Sequence, residues 1–166
     1  MAEMREGEEE MEEDTQKGKY LTFLLDKEVY AIEIKYVTEI IGFQPITEVP
    51  ELPDYIKGII NLRGKIIPVM DVRLRFKKQP AEYNDRTCII VIDVQNISVG
   101  LIVDNVSEVL SISDDSIVPP PEISRGTENR YIKAIGKVEN DVKLILDCNK
   151  LLSDKDVENL DHVNVS

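Results

Sequence analysis

The sequence predicts an all-β protein with minor helix, made of two similar five-stranded units and finished by a short C-terminal helix. Three observations predict it. Short runs rich in β-branched residues alternate with Gly, Pro, Asn and Asp, the spacing of short strands and tight turns. Residues 32–41 match residues 101–110 at an offset of 69, and residues 55–59 match 131–135 at an offset of 76. Between Tyr55 and Asp71, two apolar runs flank a polar break at Arg63-Gly64, the pattern of a hairpin. Chance similarity is common in Ile/Val-rich sequence, but polar residues match too: Glu39 with Glu108, Lys57 with Lys133 and Asp71 with Asp147.

Taken in order, residues 1–14 hold eight acids against Arg5 and almost no large apolar side chain apart from three Met. Residues 1–17 are therefore expected to be a disordered acidic leader. Residues 20–25 read as a strand, Asp26-Lys27-Glu28 as a turn and 29–34 as the returning strand. Residues 35–41 fit both periods. Ile32, Tyr36, Val37, Ile40 and Ile41 have helical spacing, whereas Val37, Glu39 and Ile41 alternate. The repeat decides for a turn and then a strand, because its copy carries an explicit Asp104-Asn105 turn.

Pro45, Pro50 and Pro53 impose irregular backbone up to Asp54, which suits the cap of one helical turn at Tyr55-Ile56-Lys57. In the hairpin that follows, Gly64 supplies positive φ and Asn140 is its copy, since both residues tolerate left-handed backbone. Residues 73–85 read as a connection. Strands are expected at 87–92, 99–103 and 106–112, then a polar loop from Pro119-Pro120-Pro121 to about Arg130, then strands near 131–138 and 142–146. Residues 149–152 suit one helical turn, and Ser153 with Asp156 a capping box for a last helix holding Val157 and Leu160. The expected division is a leader at 1–17, β-barrel subdomain 1 at 18–80, subdomain 2 at 85–150 and a helix and tail at 151–166, with strands able to swap between the subdomains. Closure into small barrels removes exposed edges, and units this small should pack across a shared apolar seam.

The repeat also separates scaffold from site. Arg63 falls on Glu139, so the fold does not require a cation at that turn, and the guanidinium becomes a candidate contact for another protein. Other chemistry is poorly supplied. The net charge is −12, of which −7 lies in residues 1–14, so phosphate backbones and anionic membranes are poor partners. The only histidine is His162 in the tail, no Cys/His set has metal-ligand spacing, and no phosphate loop or dinucleotide fingerprint occurs. Asp71 and Asp147 sit at strand ends, where caps are commoner than catalytic pairs. The expectation is a non-enzyme without cofactor. Cys88 and Cys148 lie in apolar runs and read as buried thiols of a reducing compartment. No run approaches the ~20 apolar residues of a membrane span, and the acidic N-terminus is no signal peptide, so a cytoplasmic protein without membrane insertion is expected.

Several stretches together resemble the CheW-like domain family of bacterial chemotaxis. They are Tyr30 to Ile34, Val37-x-Glu39-Ile40, the whole of Tyr55 to Asp71 with its Ile-Lys-Gly-x-x-Asn-Leu-Arg-Gly core, Gly100-x-x-Val103-Asp104-x-Val106-x-Glu108-Val109, and the triple-proline loop. The resemblance spans about residues 18–155, and the length leaves no room for a receiver or kinase module after it. It implies two intertwined SH3-like or OB-like barrels and a free-standing, non-catalytic adaptor, monomeric when free. That adaptor would join the cytoplasmic tips of chemoreceptors to the regulatory domain of the histidine kinase CheA. By the family pattern Val37, Glu39, Gly58 and Arg63 would bind receptor, Gly100, Val106 and Val109 would line or support the same groove, and Ile123 would meet the kinase. Two alternatives stand beside it: a scaffold of a non-motility kinase pathway, and an OB-type barrel for nucleic acid or oligosaccharide. The acidic balance and scarce aromatics, 5 % of residues, count against the second.

Overall fold

The β-branched runs pair as two sheets, and both use strands from both halves of the chain. The computed structural model describes residues 16–121 and 130–152. The acidic leader up to residue 15, Ile123 and the capping box at Ser153 and Asp156 lie outside the described residues. Among the described residues eleven strands occur: β1 Lys19–Leu25, β2 Glu28–Glu33, β3 Val37–Gly42, β4 Ile56–Leu62, β5 Lys65–Asp71, β6 Cys88–Val94, β7 Ile97–Val103, β8 Asn105–Ser111, β9 Ile117–Val118, β10 Ile132–Val138 and β11 Asp141–Leu146. Single helical turns α1, Val72–Arg75, and α2, Cys148–Leu151, follow β5 and β11. One sheet runs β8-β1-β2-β11-β10-β9 and the other β3-β6-β7-β5-β4.

The second order is the first one shifted by the repeat. β1, β2, β3, β4 and β5 have β6, β7, β8, β10 and β11 as their copies. Replacing each strand of β8-β1-β2-β11-β10 by its copy yields β3-β6-β7-β5-β4. The register obeys the same rule: parallel Ala31↔Ile145 becomes Gly100↔Val69, and bulged Leu21↔Val109 with Phe23↔Val106 becomes Ile90↔Ile40 with Ile92↔Val37. The two repeats at 18–80 and 85–150 are thus not the two sheets. Each sheet takes the first hairpin of one copy and three strands of the other, and β9 adds a sixth strand to the larger sheet.

This exchange explains why β1, β6 and β7 are apolar without alternation. A strand buried on both faces has no polar face to show. One face of each sheet lines its own interior, with Ile60, Ile67, Val69, Ile89, Val91 and Ile102 in the five-stranded sheet and Tyr20, Ala31, Ile112 and Ile145 in the six-stranded one. The other faces meet in a central core that includes Leu21, Phe23, Tyr30, Ile90, Ile92 and Leu101.

Residues 35–41 are a 3-10 turn, Ile34–Tyr36, followed by β3, as the repeat indicates. Three local expectations are corrected. Tyr55-Ile56-Lys57 is not helical: the Ile56 amide donates to the Pro53 carbonyl at 3.0 Å, and β4 starts at once. Residues 73–85 are not merely a connection, since α1 extends into them from Val72, capped by the Asp71 carboxylate accepting from the Leu74 amide at 3.3 Å; Asp147 caps α2 in the same way. Cys88 is only half-buried, although Cys148 is buried, and burial pushes its thiol up to about 12.

Two arginines of α1 join the sheets. Arg75 is 5 % exposed, with its guanidinium 4.4 Å from the ring centre of Tyr55 and 5.0 Å from that of Tyr131, which are copies of one another. Its Nη2 donates to the Leu151 carbonyl at 3.0 Å, and Leu151 is the copy of Arg75 itself. Arg73, 12 % exposed, donates through Nε to Asp104 Oδ1 at 2.6 Å, pairs through Nη2 with Asp104 Oδ2, and lies 2.6 Å from Asp26 Oδ1. The corresponding second position is neutral, a 3.0 Å bond from Gln95 to Asn149. Burial alone would raise the Asp104 carboxyl, but hydrogen bonds from Arg73 and the Asp26 amide outweigh it and hold it below its ordinary value. A carboxylate whose folded pKa is depressed stabilises the fold above its unfolded pKa, about 4, and loses that contribution as pH falls through the folded value. Arg73→Ala is therefore expected to lower stability by about 2–3 kcal/mol at pH 7, because it strands a half-buried carboxylate. In urea titrations the gap from the parent should narrow toward pH 3; indistinguishable curves at pH 7 would refute the clamp.

Candidate functional site

The site is built on β3, an edge strand whose side chains alternate. Val37, Glu39 and Ile41 are half-buried, while Ile40 is 44 % exposed. A bulge lies between Val37 and Glu39, so Val37 packs on the central core while Ile41 packs on the interior of the five-stranded sheet. Glu39 pairs with Val91, Val91 with Gly100, Gly100 with Val69 and Val69 with Gly58. Glu39, Gly100 and Gly58 thus occupy one row across all five strands, and partners in such a row face the same side. Val69 and Val91 of that row belong to the interior, so the Glu39 carboxylate is aimed toward the interior at an edge of the sheet.

The β4–β5 tip covers it. Arg63 has φ 53° and Gly64 φ 87°, the two positive angles of a type I′ turn, whose twist suits a two-residue hairpin. Positive φ was expected at Gly64 and Asn140; the left-handed residues at matching positions of the two tips are Arg63 and Glu139, at 53° and 56°. The Gly64 amide donates to Asn61 Oδ1 at 2.8 Å and fixes the tip. Arg63, 73 % exposed, forms an ion pair with Glu39 Oε2, while Oε1 is buried without a hydrogen-bond partner. The pair spans the two edge strands of the sheet, β3 and β4. The other sheet has no counterpart, because the copies of Glu39 and Arg63 are Glu108 and Glu139, two acids.

Val106 and Val109 stand on β8, the edge of the six-stranded sheet. Val106 is half-buried against the central core and Val109 is 53 % exposed. The sequence grouped Gly100 with them in the second subdomain; strand exchange puts it instead in the sheet of Glu39 and Gly58. Gly58 and Gly100 are packing positions. A Cβ on Gly58, at φ +147°, would sit 2.0 Å from the Thr47 carbonyl oxygen, and one on Gly100 would lie 2.8 Å from Ile89 Cγ2. Their copies are Ala134 and Ala31, so the row needs small residues in both sheets. Sequence reasoning missed Ile40, the copy of the exposed Val109, although the offset of 69 connects them.

Among the described residues no group of three or more His, Cys, Asp or Glu is placed to hold a metal, and no helix is long and apolar enough to cross a membrane. A cation at a turn, a carboxylate beneath it and exposed aliphatic side chains on two edge strands suit recognition of a protein surface.

Comparison with known proteins gives the same direction. Residues 19–156 match the family described as CheW-like domain. The chain is 36 % identical over 150 residues to a chemotaxis protein CheW of Klebsiella aerogenes, covering 90 % of each chain. It is 37 % identical over 134 residues to that of Bacillus subtilis, covering 81 % of this chain and 86 % of the relative. The crystal structure of the scaffolding protein TtCheW from Thermoanaerobacter tengcongensis superposes with a TM-score of 0.78 at 35 % identity, covering 84 % of this chain and 94 % of that one.

Proposed function

This chain belongs to the CheW-like domain family, and from that premise we propose that it is a non-catalytic chemotaxis scaffold joining the cytoplasmic tips of chemoreceptors to the histidine kinase CheA. It works in the cytoplasm, recruited to receptor arrays by its partners. The observation that carries the receptor face is the Arg63–Glu39 pair, built on one sheet and replaced by two acids on the other. A structural pair needed by the fold would be expected in both copies. Val37, Glu39 and Arg63 form the receptor contact on β3 and the β4–β5 tip, with Val106 and Val109 on β8 completing it. Gly58 and Gly100 support that contact from beneath, and Ile123 contacts the kinase.

Exposed ion pairs contribute about 0–1 kcal/mol to stability, whereas charged groups engaged in an interface can cost 2–5 kcal/mol when removed. Arg63→Gln, which keeps a hydrogen-bond donor over the half-buried Glu39 carboxylate, is expected to lower stability by no more than about 1–2 kcal/mol and to weaken receptor binding at least tenfold, roughly 1.4 kcal/mol or more. Co-sedimentation with receptor-bearing membranes and pull-down on a purified CheA regulatory domain measure the two arms separately. A large fall in stability with unchanged receptor binding would sink the assignment of Arg63. Failure of the parent protein to bind either partner would sink the function.

A further inference from the structure

We propose that the lysine-lined cavity at the start of β1 is a binding site for a phosphomonoester group, with the Tyr20 hydroxyl as its most buried donor. The cavity has a volume of about 450 Å³ and is lined by Lys17, Lys19, Tyr20, Glu33, Lys35, Asp114 and Lys133. Tyr20 and Glu33 are directly paired across β1 and β2, so their side chains leave the sheet on the same face. Tyr20 is 8 % exposed and packs in the interior of the six-stranded sheet with Ala31 and Ile145. A buried tyrosine hydroxyl ordinarily finds a hydrogen-bond partner. This one has none among the described residues. The charges that act on its oxygen, Asp114 and Lys35, both line the cavity, so the hydroxyl end points into it. Burial first and Asp114 second outweigh Lys35 and raise the phenol above its ordinary value, so at neutral pH it keeps its proton and donates.

The repeat marks these donors as additions to the scaffold. Lys19, Tyr20 and Lys35 have Cys88, Ile89 and Asp104 as their copies at the offset of 69. Ile89 fills the equivalent place inside the five-stranded sheet, so packing there asks for an apolar side chain and not for a hydroxyl. Lys17 and Lys19 form no ion pair among the described residues. Lys35 lies 3.3 Å from Glu33 Oε2 and Lys133 pairs with Oε1, but an ammonium has three donors and each keeps capacity for a further acceptor. Four lysines against Glu33 and Asp114 leave the cavity at +2, in a body beyond residue 14 whose net charge is −5. A phosphomonoester carries about −1.5 to −2 near pH 7 and presents three acceptor oxygens, which matches both that charge and the convergent phenol and ammonium donors. A carboxylate matches only part of the charge, and a nucleic-acid backbone is repelled by the acidic body around the cavity. The same group occurs on free phosphate esters and on phosphorylated protein side chains.

Backbone amide NMR spectra of the full chain, titrated with inorganic phosphate at constant ionic strength, test the site. The amides of Gly18, Tyr20, Lys35 and Lys133 are expected to shift saturably with phosphate and not with chloride or acetate. Tyr20→Phe keeps the packed ring, removes the hydroxyl and should weaken phosphate binding about tenfold, the size of one hydrogen bond to a charged group. K17Q/K19Q, which breaks no ion pair among the described residues, should weaken it about three- to tenfold. The charge-matched K137Q/K143Q, on β10 and β11 outside the cavity, should bind as the parent does. Glycerol phosphate and a glycine peptide carrying one phosphoserine separate the two sources. A peptide bound no tighter than glycerol phosphate assigns a free ester, and one bound tighter assigns a phosphorylated protein. An unsaturable response, an equal response to acetate, parent-like binding by Tyr20→Phe or equal losses in the two lysine pairs would overturn the proposal.

Discussion

Gly58→Ala is expected to destabilise the protein by about 3–5 kcal/mol, enough to shift a denaturant midpoint severely in a domain of this size. The new methyl would be 2.0 Å from the Thr47 carbonyl oxygen and 2.8 Å from its carbon, both backbone atoms that no rotamer change moves away. Thr47 and Ile59 exchange two backbone hydrogen bonds of 3.0 and 2.9 Å, which tie the proline-rich loop to β4. Relieving the overlap breaks that bridge at about 1 kcal/mol per bond and leaves alanine at a φ of +147°, strain of about 1–3 kcal/mol. Gly100→Ala supplies the contrast. Its methyl meets only the Ile89 side chain closely, and its copy is the buried Ala31, so about 1–3 kcal/mol is expected. Urea titration ranks the two, and a wild-type midpoint for Gly58→Ala would refute the steric account. This bears on function, because lost receptor coupling in a Gly58 variant then reports a disturbed sheet rather than a lost contact.

Arg75→Ala should cost a similar amount, about 3–5 kcal/mol. The side chain is buried between Tyr55 and Tyr131, and its removal leaves a cavity, takes the cation from the Tyr55 ring, leaves the Tyr131 ring with Arg130 alone at 5.6 Å and deprives the Leu151 carbonyl of this donor. A desolvated cation–π contact contributes about 2 kcal/mol, and truncating a buried side chain of this length costs about 2–5 kcal/mol. Arg75→Met separates packing from charge. Methionine refills most of the volume and leaves no buried cation, so it is expected within about 1–2 kcal/mol of the parent. Thermal melts of the two variants decide, and an Arg75→Ala protein that melts with the parent would refute the clamp.

The same position shows how far sequence reading reached. Arg73 and Arg75 looked like the start of a solvated connection because arginine in a polar stretch is usually exposed. A signal was present nonetheless: the offset of 76 puts Arg75 on the buried Leu151. For the site, Arg63 stood out because its copy is an acid. The left-handed angle at Arg63 was missed because glycine beside it offers positive φ at less steric cost, and a type I′ turn asks it of both residues.

The order of elements, the doubling and the tip cation were written in the sequence, because strand period, turn residues and repeat spacing are local properties. Which sheet each strand joined was a matter for the tertiary structure alone. An apolar face states that it must be buried but not against what, and the two copies present nearly interchangeable faces. Only closure of both sheets around their own interiors and one shared core selects the exchanged pairing, which puts Gly100 beside Val69 and aligns it in one row with Glu39 and Gly58.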